Sequence, residues 1–182
     1  MQLPRPLILL LLTFGLQVGA INFPYESRQL TDQDIGTWSA ISFGDVSSAP
    51  SVYKGPKCKV LPEDAAWPNK EQWDQLNATV SGNLLKPYPV GAACYLDRPE
   101  YNETTCAYLV GAATTTRFFF SDPLTSLTTW GEGATCLQLL NTTGRTCQQG
   151  GFPVYVVNTS SVRDIQAGVN FARSQNLRLV IK

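Results

Sequence analysis

The chain has 182 residues, with 14 Lys and Arg against 14 Asp and Glu, so its formal net charge is zero, and it contains no histidine. With no basic cluster, nothing suggests a nucleic-acid partner or an anionic membrane surface. The absence of histidine and of any Cys-x-x-Cys pairing argues against a metal centre.

The N-terminus reads as a secretory leader over residues 1–20. A short basic start ending at Arg5 precedes the ten-residue apolar run Leu7 to Leu16, and small residues lead out through Val18, Gly19 and Ala20. Ten apolar residues fall short of the roughly 20 needed to span a bilayer, so no membrane anchor is expected. A secreted, extracellular protein is implied, and two further features agree. Sequons for N-glycosylation occur at Asn77, Asn102, Asn141 and Asn158. The five cysteines, Cys58, Cys94, Cys106, Cys136 and Cys147, are scattered as in a disulfide-bearing protein. Their odd number leaves at least one to stay free, pair with another chain or find a partner outside this sequence.

Residues 21–57 form a weakly patterned arm, punctuated by Pro24, Gly36, Gly44, Pro50, Gly55 and Pro56. One helix is predicted near Thr31 to Ile41, with Thr31 as cap and Asp32 and Asp34 in the first turn. Residues 58–149 are loop-rich, tied by cysteines and glycosylated. A short helix over Lys70 to Leu76 places Trp73 and Leu76 on one face. Gly82 to Pro87 turns into an extended piece, and Thr104 to Val110 makes a helical turn or two carrying Cys106. Phe118, Phe119 and Phe120 form an apolar run that requires burial.

From Gly150 the pattern sharpens. Pro153 to Val157 reads as a fully buried strand. Ser161 begins a Ser-x-x-acid cap, after which Val162, Ile165, Val169 and Ala172 share one helix face. Arg173 suits the last turn, Asn176 terminates the helix, and Leu177 to Ile181 reads as a second buried strand. Strand, helix and strand predict a parallel βαβ unit, open at the carboxyl end of its second strand. The fold class is α+β, becoming α/β towards the C-terminus.

Several sharper readings compete with plainer ones. Trp67 and Trp73 could form a carbohydrate platform, but aromatic side chains more often fill cores. Glu63 with Asp64, or Glu100 with Glu103, could pair as hydrolytic carboxylates, yet nothing around them forms a cleft. Gly131-Glu-Gly133 lacks the third glycine and preceding strand of a dinucleotide fingerprint. Ser160 and Ser161 have no histidine for a triad, and capping is a simpler role for Ser161 than anion binding.

The blocks CKVLPEDAAWPNKEQW, LNATVSGNLLKPYPVGAAC and TCQQGGFPVYVV, with GGFPVYVVNTSSVRDIQAGVNFARSQNLRLVIK, run from about Cys58 to Lys182. They resemble the front of flavoproteins in the vanillyl-alcohol-oxidase and berberine-bridge-enzyme superfamily. The resemblance is greatest to the secreted fungal FAD-linked oxidoreductases, isoamyl-alcohol-oxidase-like enzymes among them. It implies that residues 150–182 begin an FAD-binding domain of PCMH type. It also implies a flavin that takes a hydride from a small alcohol, amine-bearing or sugar-like substrate, with oxygen as acceptor. In the family an Asn-Thr-Gly-His-type loop cradling the FAD pyrophosphate follows the Leu-Val-Ile-Lys strand, and its histidine often carries the flavin. This sequence stops one residue before such a loop, so the resemblance places no catalytic or cofactor-binding residue in the chain, and FAD binding by the chain alone is expected to be weak or nil. It suggests disulfides Cys94–Cys106 and Cys136–Cys147, with Cys58 unpaired, and Val60 and Ala66 standing where several members have cysteines. A front fragment of a flavin oxidoreductase is the leading reading; a non-catalytic secreted glycoprotein or binding module is the alternative.

Overall fold

The computed structural model describes residues 23–44, 58–125 and 133–182. The predicted leader, most of the arm's second half and the first two residues of Gly131-Glu-Gly133 lie outside the described residues. Among the described residues, five α-helices and one two-stranded sheet follow in order. They are α1 (Asp32–Gly36), α2 (Lys70–Thr79), β1 (Leu84–Leu85), α3 (Glu103–Ala112), α4 (Thr116–Ser121), β2 (Val156–Val157) and α5 (Val162–Ser174), with 3-10 turns at Ser39–Ile41 and Val90–Cys94. The result is helix-rich and mixed, consistent with an α+β class.

Local chemistry explains where the helices begin. Thr31, Asn69 and Ser161 each accept the backbone N–H three residues on, and Asp34, Gln72 and Asp164 return the bond to the cap's own N–H. These reciprocal capping boxes satisfy amides that would otherwise be left orphaned. Asn102 and Thr115 cap α3 and α4 by the side-chain half of the same device. The helix predicted from Thr31 to Ile41 is interrupted, because Trp38 adopts an extended backbone (φ −156°, ψ 95°) before the chain turns again at Ser39–Ile41. That break swings Trp38 against Phe171, 5.4 Å between ring centroids. Leu30 and Ile41 are buried, so this part of the arm packs as core rather than trailing free.

Two apolar cores result. The first gathers Leu30, Ile41, Trp73, Leu76, Val80, Ala167, Phe171, Ala172 and Leu177 from α2, α5 and the N-terminal segment. Trp73 is its centre, stacked on Tyr155 at 4.0 Å and edge-on to Phe171 at 5.1 Å. The second gathers Ala92, Tyr95, Leu124 and Phe152 around Cys94–Cys106 and Cys136–Cys147. Gly91 is obligatory there, since a Cβ would lie 2.2 Å from the carbonyl oxygen of Cys136.

The C-terminal third departs from its expected form. Val156–Val157 pairs antiparallel with Leu84–Leu85, and residues 153–157 are only half-buried. Leu177 makes one isolated parallel bridge to Val60, while Leu179, Val180 and Ile181 are exposed. No parallel βαβ unit forms among the described residues, because the two expected strands find different neighbours and neither has both faces covered. Of the face predicted for α5, Val162, Ile165, Val169 and Ala172, only Ala172 is buried. The buried face carries Asp164, Ala167, Asn170, Phe171 and Ala172, while Ile165 is 47% exposed and Val169 is also exposed. The large ring of Phe171 decides the rotation, and the polar members are tolerated because each has partners. The side-chain amide of Asn170 donates to the Ile41 carbonyl at 2.9 Å. Phe118–Phe120 is not buried as a run: α4 points successive side chains about 100° apart, so Phe119 is buried and Phe120 is 65% exposed.

Candidate functional site

The N-terminus of α5 is a polar junction closed by the chain itself. Asp164 Oδ2 accepts the N–H and hydroxyl of Ser160, both at 2.9 Å, and the N–H of Ser161 at 3.0 Å. Burial pushes this carboxyl's pKa up, but the serine hydrogen bonds outweigh it and the net shift is down. One residue earlier, Arg163 donates from Nη2 to Asp34 Oδ1 at 2.7 Å and from Nη1 to the carbonyl of Thr79. The Arg163 guanidinium, followed by the Thr31 N–H and hydroxyl, holds the Asp34 carboxyl far below the usual carboxylate range. Arg163 therefore clamps the N-terminal segment and the end of α2 to α5. A phosphate at this helix start would meet the Asp164 carboxylate, so capping is its role.

At the other end of α5, Asn176 adopts a left-handed backbone (φ +54°) and turns the chain into the segment 177–182. Its carbonyl accepts the Val60 N–H at 3.1 Å, and its side-chain amide donates to the Cys58 carbonyl at 2.9 Å. At the far end of the segment, Lys182 Nζ donates to the carbonyls of Phe119 and Thr125, each at 2.6 Å, and of Asp122. Neither this cluster nor the Asp34–Arg163 clamp is foreshadowed by the sequence, since carbonyl acceptors carry no residue signature and Asp34 and Arg163 lie 129 positions apart.

The remaining candidates are dispersed. Asn102, Asn141 and Asn158 are exposed, and Asn77 is half-buried on α2. The side-chain oxygens of Asn77, Asn102 and Asn141 accept backbone N–H groups of Leu84, Thr105 and Thr143 at 3.1, 2.7 and 3.0 Å. The disulfides join Cys94 to Cys106 and Cys136 to Cys147, and Cys58 is free and exposed. Trp73 belongs to the core and Trp67 packs against it, 5.5 Å between ring centroids, so they do not form a platform. Glu100 is engaged by Arg98 at 3.1 Å, and Asp64 accepts the Leu61 N–H at 2.7 Å. An open groove of about 430 Å³ runs past Leu96, Tyr101, Cys106, Leu140, Asn141 and Arg145. A disulfide forms part of its wall, and it brings together no nucleophile and base. Among the described residues no cluster could hold a metal ion, and no helix is long and apolar enough to cross a membrane.

Comparison with known proteins gives this arrangement its context. No protein-family model matches the chain. Among curated proteins it is 33% identical over 152 residues to the FAD-linked oxidoreductase easE of Epichloe festucae var. lolii, covering 78% of this chain and 24% of the relative. It is 33% identical over 129 residues to the VAO-type flavoprotein oxidase VAO615 of Thermothelomyces thermophilus, covering 70% of this chain and 22% of the relative. Of solved structures, it is similar to the VAO-type flavoprotein MtVAO615 of Myceliophthora thermophila C1, with a TM-score of 0.61 and 33% identity over 69% of this chain and 23% of that one. The homologues are thus FAD-linked and VAO-type flavoprotein oxidases, and the chain spans about a quarter of their length.

The described residues do not by themselves fit a flavin. At the start of α5 the N–H groups of Ser161 and Asp164 are spent within the capping box and those of Val162 and Arg163 on the carbonyls of Tyr25 and Arg28, and the donors of Lys182 are spent on main-chain carbonyls. Among the described residues, the buried side-chain nitrogens without a partner are Trp73 Nε1, within the aromatic core, and Gln138 Nε2. Among the described residues no anion cradle is formed.

Proposed function

We propose that this chain is the front part of a secreted FAD-dependent oxidoreductase of the vanillyl-alcohol-oxidase type, oxidising a small organic substrate with oxygen as acceptor. The observation that carries this reading is the match, at about a third identity, to about a quarter of the length of FAD-linked oxidoreductases. Exposed apolar side chains support it: Ile165 and Val169 on α5, with Leu179, Val180 and Ile181 beyond it, form surfaces suited to further secondary structure. Secretion is supported by the N-terminal apolar run, the four sequons and the two disulfides. The residues of this chain contribute framework, and the flavin contacts belong to the segment that follows Lys182 in this reading.

The deciding experiment is to sequence the native transcript across the Lys182 codon and to record the flavin absorbance of the secreted product. A reading frame that continues into an Asn-Thr-Gly-His-like loop, with a flavin-coloured product, is the expected result. A stop codon there would favour a second reading, a non-catalytic secreted glycoprotein, which has in its favour that each core closes over its own side chains. A flavin-coloured preparation of residues 21–182 alone would overturn the framework role.

A further inference from the structure

We propose that Lys182 is a positioning residue, a latch that fastens the segment Leu177–Lys182 to the turn closing α4, and not a phosphate ligand. The segment is rooted at one end in the aromatic core, where Leu177 is buried and donates its N–H to the Ala172 carbonyl at 2.8 Å. At the other end, the ammonium reaches the carbonyls of Phe119, Asp122 and Thr125. An ammonium has three donors and no acceptor, so these three carbonyls use its whole capacity. None is left over for an anion.

The socket is a built feature. Thr125 is fully buried, and both its N–H, at 2.9 Å, and its hydroxyl donate to the Asp122 carboxylate. That carboxylate is therefore occupied, and the turn presents main-chain oxygens to Lys182. Leu124, between them, is buried in the cysteine-tied core. The carbonyl of Phe119 is one of those a helix leaves unpaired in its last turn, where a positive charge is favoured. Six residues extend over at most about 20 Å, so fastening both ends sets the direction of the segment as well as its reach. The latch thus joins the two cores through a segment whose own side chains Leu179, Val180 and Ile181 stay exposed. Its functional consequence rests on the proposed flavoprotein reading: Lys182 would aim the loop that follows it while leaving phosphate contacts to that loop.

The test is amide hydrogen exchange on the full chain, comparing wild type with Lys182→Met and Lys182→Arg. Removing a charged donor from three carbonyls should speed exchange across residues 116–125 by about tenfold or more in Lys182→Met, with α5 unchanged. Lys182→Arg should recover only part of the protection, because a planar guanidinium does not match three carbonyls converging on a point charge. Unchanged exchange in 116–125, or equal acceleration in α5, would overturn the latch. So would slower exchange there on adding inorganic pyrophosphate to wild type, since that would make Lys182 a phosphate ligand. These readouts need no flavin. If the longer reading frame yields a colourless wild-type protein, the flavoprotein reading fails, while faster exchange across residues 116–125 in Lys182→Met still upholds the latch. If wild type retains flavin and Lys182→Met retains as much with unchanged exchange, the latch fails and the flavoprotein reading stands.

Discussion

The aromatic core around α2 and α5 and the cysteine-tied core around α3 are assembled from the chain in different ways. The first is built from distant segments: Leu30 donates its N–H to Gln166, 136 residues away, and Trp73 meets Tyr155 and Phe171 across some 80 to 100 positions. The second is local, with disulfides bridging residues 12 and 11 apart and only a few large side chains. A small core with little apolar area needs covalent help, whereas a core centred on Trp73 and Phe171 can hold by packing alone. The two halves should therefore fail under different challenges.

The largest expected effect is on the aromatic core. Phe171→Ala should cost about 4 kcal/mol, from lost burial and a cavity beside Trp73. Denaturant unfolding followed by tryptophan fluorescence would read it, and amides of α3 should keep their protection. Next comes Cys136→Ala with Cys147→Ala, expected to cost about 3 kcal/mol. Exchange should rise across residues 90–112 and stay low in α5. Equal loss in both regions would show that the cores fold as one unit and would break the comparison.

A smaller effect tests how the first core is fastened. Asp34→Asn removes the charged partner of Arg163 and should cost about 1–2 kcal/mol, the range for a partly exposed charged hydrogen bond. The Asp34 carboxyl is held below its ordinary range, so its contribution is fully present above about pH 4 and drains away as pH falls further. The difference in melting temperature between wild type and Asp34→Asn should thus shrink on going from pH 7 to pH 2. A constant difference would remove the ion pair from the account. Smallest is Asn69→Ala, which deletes the cap of α2 and should cost about 1 kcal/mol, read as a shift in denaturation midpoint.

What could be read without the structure follows from how far apart the interacting residues lie. Caps at Thr31 and Ser161, the helix carrying Trp73 and Leu76, and the terminator Asn176 rest on contacts within a few positions, so residue type and spacing suffice. The buried face of α5 was not legible, because apolar periodicity favours Ile165 and Val169 and is blind to Asp164 and Asn170, whose burial depends on partners elsewhere. The apolar runs at Pro153–Val157 and Leu177–Ile181 read as buried strands, but they form only a two-residue strand and a single bridge, since strand pairing depends on which edge is available.

The sequence by itself thus determined local devices: the helix starts at Thr31 and Ser161, the stop at Asn176, the glycosylation sequons, and enough spaced identity to find flavoprotein relatives. Only the tertiary structure decided that Arg163 ties three segments together, that Trp73 serves the core, and that the ammonium of Lys182 is spent on three carbonyls. The physical reason is that every residue carries a main-chain carbonyl, so a site made of carbonyls becomes visible only when the fold gathers them.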